Sequence, residues 1–189
     1  MLMPLDITFT LSDQDLEYFQ TIVNKAKSAM DGPHDDDAIQ AATLQLVKDA
    51  KAGEMPEFIR ERIEKLEIVT NMVSDQEWQL SDEDRSRVLG ALVYFCDPED
   101  LIPDHIPGLG FLDDAIYVEL VIRELKNEIE SYEEFYQFRV AEEKRRIEKG
   151  LDPHVEREEW LTDKRASLHA RMRKRRTGRS DNRRWRLNF

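Results

Sequence analysis

The chain has 189 residues, 36% charged and 40% hydrophobic, with seven glycines and seven prolines; this is enough to bury one core, and it suits exposed helices better than a β-sandwich with many turns. The net charge of −12 conceals a division, because residues 164–189 hold eleven Lys and Arg against one acid, Asp181, for +10, whereas residues 1–163 hold 17 against 39, for −22. The single cysteine, Cys96, excludes an intramolecular disulfide framework, the opening MLMPLDITF has neither a basic nor an apolar leader region, and no run reaches the ~18 apolar residues of a membrane span, so a cytoplasmic location is expected.

Asp6 to Leu11 alternates polar and apolar residues, but an isolated strand cannot satisfy its own backbone, so an extended segment packed on helices is expected. Ser12 and Asp15 have the form of a capping box, and Leu16, Phe19, Ile22, Val23, Ala26 and Met30 follow at helical spacing, which predicts a helix over about 13–30. Gly32-Pro33 ends it. The acids of His34 to Asp37 suit the positive end of the next helix dipole; consecutive acids point in different directions and do not converge on one ion. Ile39, Ala42, Leu46, Val47 and Ala50 form the stripe of a second helix that Gly53 ends. Pro56 opens a third, with Phe58, Ile59, Ile63, Leu66, Val69, Met72 and Val73 on its apolar face. Ser74 with Glu77 and Ser81 with Asp84 repeat the helix-start signal, so Trp78 and Leu80 are expected on a single turn before a fourth helix over 82–96.

Between Val88 and Leu125 apolar density, prolines, glycines and carboxylates coincide. Pro98 disfavours helix at Asp97, the pairs Ile102-Pro103 and Ile106-Pro107 favour an extended path, and Gly108 and Gly110 permit a reversal, so a stiff loop joins two core helices. The string Ala91, Leu92, Tyr94, Phe95, Asp97, Pro98, Asp100, Leu101, Ile102, Pro103, Asp104, Ile106, Pro107, Gly108, Gly110, Asp113, Asp114, Ala115 resembles the signature of the YkvA-like family, a short bacterial domain of unknown function that also occurs in some eukaryotic RING-type ubiquitin ligases of internal membranes. The resemblance covers roughly forty residues and implies a helical hairpin around the loop, with no established chemistry. His105 departs from the pattern, and so do Glu119 and Arg123, which stand where a membrane-associated relative would stay apolar.

After the loop, Asp113 and Asp114 open a long helix with Ile116, Leu120, Val121, Leu125, Ile129, Tyr132, Phe135 and Tyr136 at helical spacing, running to Lys149, where Gly150 and Asp152-Pro153 stop it. Its outer half, EEKRRIEKG, reads as a solvated extension. Val155 to about Arg176 forms a shorter helix with Trp160, Leu161 and Leu168 as its apolar contacts, and beyond Thr177 too little apolar surface remains to offset the entropy of ordering.

Two constellations carry candidate chemistry. Asp97, Glu99, Asp100, Asp104, Asp113 and Asp114, with His105, have the oxygen ligands that suit Mg²⁺, Mn²⁺ or Ca²⁺, although their spacing is not that of an EF-hand and each acid also has a capping or turn role. The basic residues Arg171, Arg173, Lys174, Arg175 and Arg176, then Arg183, Arg184 and Arg186 around Trp185, suit phosphate contact with base stacking, an anionic membrane surface, or neutralisation of the chain's own acidic body. Glu-x-x-His, HExxH, a P-loop and a G-x-S-x-G elbow are all absent, Gly108-Leu109-Gly110 follows a loop instead of a strand, and the histidines 34, 105, 154 and 169 are scattered. The aromatics Tyr132, Phe135, Tyr136 and Phe138 are expected in the core or on a surface for a partner helix.

The expected fold is mostly α: a helical bundle with a Pro/Gly-rich loop between two core helices, a long C-terminal helix and a basic tail. Its parts are an N-terminal helical region (1–80), a helix-loop-helix core resembling YkvA (81–149) and a charged extension with the tail (150–189). The functional expectation is an interaction module whose basic arm meets an anionic partner, nucleic acid, a membrane surface or another polyanion, with no cofactor. The alternative is a divalent-metal-dependent hydrolase with Asp100, Asp104 and Asp113 as ligands and His105 as base.

Overall fold

The computed structural model describes residues 36–52, 57–96 and 112–178, together with 12, 14, 15, 17, 18 and 21. From residue 36 onward, six α-helices follow one another among the described residues: α1 Asp36–Ala52, α2 Glu57–Ser74, α3 Asp82–Leu92 continued by a 3-10 turn Val93–Cys96, α4 Leu112–Glu124, α5 Lys126–Glu148 and α6 Arg157–Gly178. The described residues contain no strand. Residues 14, 15, 17, 18 and 21 are helical, and the Ser12–Asp15 box is made, with the Asp15 carboxylate accepting from the Ser12 amide and hydroxyl, both at 2.7 Å. The extended segment expected at 6–11 and the loop at 97–111 lie outside the described residues.

Helices α1 and α2 form an antiparallel hairpin, tied by Lys51 to Glu67 at 2.7 Å and by the Ser74 hydroxyl to Gln40 at 2.6 Å. Ile59, Ile63, Leu66, Val69, Met72 and Val73 are all buried, so the apolar period of α2 translates directly into its core face. Helix α4 packs on α2, and the 3-10 turn packs on α1. At the start of α3 the Ser81 hydroxyl accepts from the Asp84 amide and donates to the Asp84 carboxylate at 2.8 Å, as the spacing predicts. The neighbouring signal at Ser74 does not start a helix. Ser74 is the last residue of α2, and Asp75 organises the turn instead, its carboxylate accepting from the amides of Glu77 (2.9 Å) and Trp78 (3.2 Å) while Gln79 takes a positive φ of 53°.

The expected single helix over 113–149 is two helices. At Leu125 the backbone leaves helical values (φ −90°, ψ 16°), although the Leu125 amide still bonds to Val121 O and the Ile129 amide to Leu125 O. Neither proline nor glycine stands there; the bend is bridged by Arg87 of α3, which pairs with Glu124 before it and with Glu128 after it at 3.4 Å. Beyond the bend α5 and α6 pack as an antiparallel hairpin. The turn between them closes as a Schellman motif: Gly150, at φ +70°, donates to Ile147 O, and the Leu151 amide donates to Arg146 O, both at 2.9 Å. The outer half of α5 is mostly exposed, as its composition implies, and Arg146 marks its inward side, bonded to Glu142 and lying over the Trp160 ring.

Trp78, fully buried, joins the two parts. Its ring meets Tyr132 and Phe135 of α5, at 5.8 and 5.1 Å between centroids, and His169 of α6 at 4.2 Å, edge to face. The turn that carries it is held from outside. Glu77 pairs with Arg157 and with Arg139 (2.7 Å), its carbonyl accepts from Arg165 (2.9 Å), and Asp75 accepts from the Tyr132 hydroxyl (3.1 Å). Tyr136, expected in the apolar row, is exposed instead, with Arg139 over its ring. No helix among the described residues is long and apolar enough to cross a membrane.

Candidate functional site

Of the acid cluster, Asp97, Asp100, Asp104 and His105 lie outside the described residues. Asp113 and Asp114 occupy the first turn of α4, where the helix dipole favours negative charge, and both are buried. Beside them on α4, Tyr117 stacks on Tyr94 at 4.1 Å and meets Phe95 edge to face, and its hydroxyl donates to Ala91 O at 3.2 Å. Burial pushes that phenol well above its ordinary value, so it serves as a structural donor. Among the described residues no three His, Cys, Asp or Glu side chains are grouped to hold a metal ion.

Of the basic set, Arg183, Arg184, Trp185 and Arg186 also lie outside the described residues. The earlier stretch is the end of α6, folded along the acidic body. Arg171 pairs with Glu134, which Lys164 also reaches at 2.6 Å; Arg175 pairs with Glu130 at 3.3 Å; and Arg173 approaches Asp84 at 3.5 Å. Arg176 reaches Asp84 at 2.7 Å, Glu83 at 3.5 Å and Glu128 at 3.6 Å. Lys174 makes no ion pair among the described residues.

These contacts reveal a group that the spacing argument did not single out. Asp84 of α3 (0% exposed) and Glu128 of α5 (1%) sit at the junction of α3, α5 and α6, with Arg176 reaching both and Arg87 beside Glu128. Their environments drive them apart. Burial alone would raise the Asp84 carboxyl, but the Ser81 hydroxyl, Arg176 and Arg173 together hold it below its ordinary value. Burial dominates at Glu128 and raises it, with Arg87 and Arg176 opposing only in part. The same junction holds His169, whose imidazole is kept below its ordinary value by burial and by Arg173. Chemically this is a buried charge network that fixes α6 on the bundle. Its signal was present in the sequence, since Glu128 shares the helical face of Leu125, Tyr132 and Phe135, and Arg165 and His169 share that of Leu161, Leu168 and Met172.

Residues 85–120 match the family described as protein of unknown function (DUF1232). The matched segment is 36 of the chain's 189 residues. It spans α3 from Arg85 onward, the 3-10 turn, the connection and the first nine residues of α4, and so includes Tyr94, Tyr117 and the Asp113–Asp114 pair. A curated relative, the "Uncharacterized membrane protein YkvA" of Bacillus subtilis (strain 168), is 38% identical over 66 residues, which cover 32% of this chain and 62% of the relative. The chain thus spans less than two thirds of that relative's length, and the homology is distant. No solved structure matches the chain.

Proposed function

We propose that this DUF1232-containing chain is a cytoplasmic interaction module whose C-terminal cations engage an anionic partner. The observation that carries the reading is the charge division, +10 over residues 164–189 against −22 over the rest, with Lys174 unpaired among the described residues and Arg183, Arg184 and Arg186 flanking an aromatic residue. A body of strong negative charge repels polyanions, so the contact is confined to the C-terminal end. Single-stranded nucleic acid is the first candidate, because arginines interleaved with Trp185 suit phosphate contact and base stacking. An anionic membrane surface is the second, favoured by the name of the Bacillus subtilis relative, an uncharacterized membrane protein.

One titration separates them. If about five phosphates are neutralised, binding of a single-stranded oligonucleotide weakens with salt at a log–log slope of about −3 to −4, and a chain ending at Gly178 loses part of that slope together with the fluorescence quenching of Trp185. Anionic vesicles acting as the partner shift Trp185 emission to the blue, while the oligonucleotide leaves it unchanged. The proposal fails if neither ligand binds at low salt, or if the shortened chain binds as the full one does.

A further inference from the structure

Three kinds of contact hold α6 on the bundle. Leu161, Leu168 and Met172 are buried, Arg176 reaches Asp84, and between them His169, 8% exposed, sets its imidazole edge to face on the Trp78 ring at 4.2 Å. Trp78 is itself fully buried against Tyr132 and Phe135. The Nε2 of His169 is buried and takes no hydrogen bond among the described residues.

A neutral imidazole fits this place, and an imidazolium does not. Along α6, Arg165 and Arg173 stand one turn before it and one turn after it, on the same face. The Trp78 backbone faces it from the turn before α3, and the Asp84 carboxylate faces it from α3. Both oxygens of Asp84 are engaged, Oδ1 by Arg176 at 2.7 Å and Oδ2 by the Ser81 hydroxyl at 2.8 Å and Arg173 at 3.5 Å. On the α5 side, Glu128 lies 3.4 Å from Arg87 and 3.6 Å from Arg176, and the Tyr132 hydroxyl donates to Asp75 at 3.1 Å. A second proton on the ring therefore finds two guanidinium groups on its own face and only carboxylates already engaged by other cations.

We infer that neutral His169 is an acid-sensitive catch: when it takes a proton, the C-terminal part of α6 swings off the Trp78 turn and the imidazolium passes into water. While α6 is docked, burial first, then Arg173 and Arg165, hold the group below its ordinary value, with Asp84 and the Trp78 backbone opposing. Docking is thus at full strength above the ordinary histidine value of about 6.5; as pH falls below it docking weakens, by at most about tenfold per pH unit, until the docked value is reached. Glu128, raised by burial, works the other way, since its protonation favours the docked helix. Opening needs no ligand. Its use, which rests on the function proposed above, is to pass Arg171, Arg173 and Arg175 from Glu134, Asp84 and Glu130 to the external anion.

Native-state hydrogen exchange of the full chain between about pH 7.5 and about pH 5.5, with no anionic ligand present and each rate divided by the intrinsic chemical rate, reads the opening. A Glu128→Gln background removes the opposing carboxyl. The expected result is that protection of amides 165–176 lies below that of α2 throughout and falls several-fold over this range, at most about tenfold. His169→Phe, which keeps a ring against Trp78, and His169→Gln, which keeps a polar side chain, each abolish the fall; the slope is read, so a variant of lower stability still reports. Protection that does not fall in the parent overturns the inference, as does a fall that both variants share. Amides 165–176 as protected as those of α2 overturn it too, since α6 then opens only when the whole bundle unfolds. A chain that opens in acid yet binds no anion keeps this inference and loses the proposed function.

Discussion

Replacing Arg176 by Met removes the closest cation from a fully buried carboxylate. Asp84 then keeps only the Ser81 hydroxyl at 2.8 Å and the half-exposed Arg173 at 3.5 Å, and Glu128 keeps Arg87 at 3.4 Å. Breaking one side of a buried ion pair costs about 3–5 kcal/mol when the remaining charge is left alone. Asp84 is not left alone, and Arg176 is 21% exposed, so a loss of about 2 kcal/mol is expected, or about 4–8 °C in Tm for a chain of this size. The pH dependence identifies the partner. The folded-state value of Asp84 is depressed, so its contribution is present above the ordinary carboxylate range and is lost as pH falls through the folded value; the penalty of the Met variant therefore shrinks on acidification. Urea unfolding at pH 7 and at steps below the ordinary aspartate value, down to about pH 2, measures both. A variant within 0.5 kcal/mol of the parent at pH 7, or one whose deficit does not shrink at about pH 2, would show that the junction is not held by this pair.

Glu128→Gln is expected to be neutral or stabilising at pH 7, because Arg87 retains Glu124 and Arg176 retains Asp84. The raised folded value of Glu128 means that its ionisation costs stability as pH rises from the ordinary glutamate value through the folded one, so the variant's advantage in urea midpoint should grow from pH 5 to pH 7; a growing deficit would refute this. Replacing Asp113 and Asp114 together by Ala should cost about 1–2 kcal/mol through the lost helix-start interactions, equally in chelator and in Mg²⁺, Mn²⁺ or Ca²⁺, whereas a metal-induced rise in Tm seen only in the parent would make the pair ligands. Glu130→Gln with Glu134→Gln releases Arg175 and Arg171 from the body, and oligonucleotide or vesicle affinity should rise several-fold at low salt; unchanged affinity would exclude these arginines from the contact.

Legibility from sequence tracks how local each feature is. The Ser81–Asp84 box and the stop at Gly150 need only neighbours, and both occur as their residues imply. The stripe from Ile59 to Val73 needs only the helical period. The bend at Leu125 has no local mark, since its apolar period runs on unbroken and its stabilisation comes from Arg87, in another helix. Pairs such as Arg171–Glu134 and Arg176–Asp84 join positions 37 and 92 apart, beyond any spacing rule. Glu128 and His169 were visible as polar residues on apolar faces, but burial depends on the packing of three helices and is invisible to the period of one.

The arginines at the end of α6 are not equivalent, and that difference bears on how an external anion would be met. Arg176 is the most enclosed and contacts buried acids, whereas Arg171, Arg173 and Arg175 are 38–48% exposed. Exposed pairs contribute about 0–1 kcal/mol, so exchanging Glu130 or Glu134 for a phosphate costs little, while exchanging the partners of Arg176 exposes a buried carboxylate. Leu168 and Met172, both buried, hold the same segment by apolar contact. An anion can therefore recruit the outer cations while α6 stays docked. In the proposed contact, charge recognition and fold stability would thus be separable along one helix: the outer arginines would add to the affinity supplied by the residues beyond Gly178, and Arg176 with its two carboxylates fixes the helix from which they act.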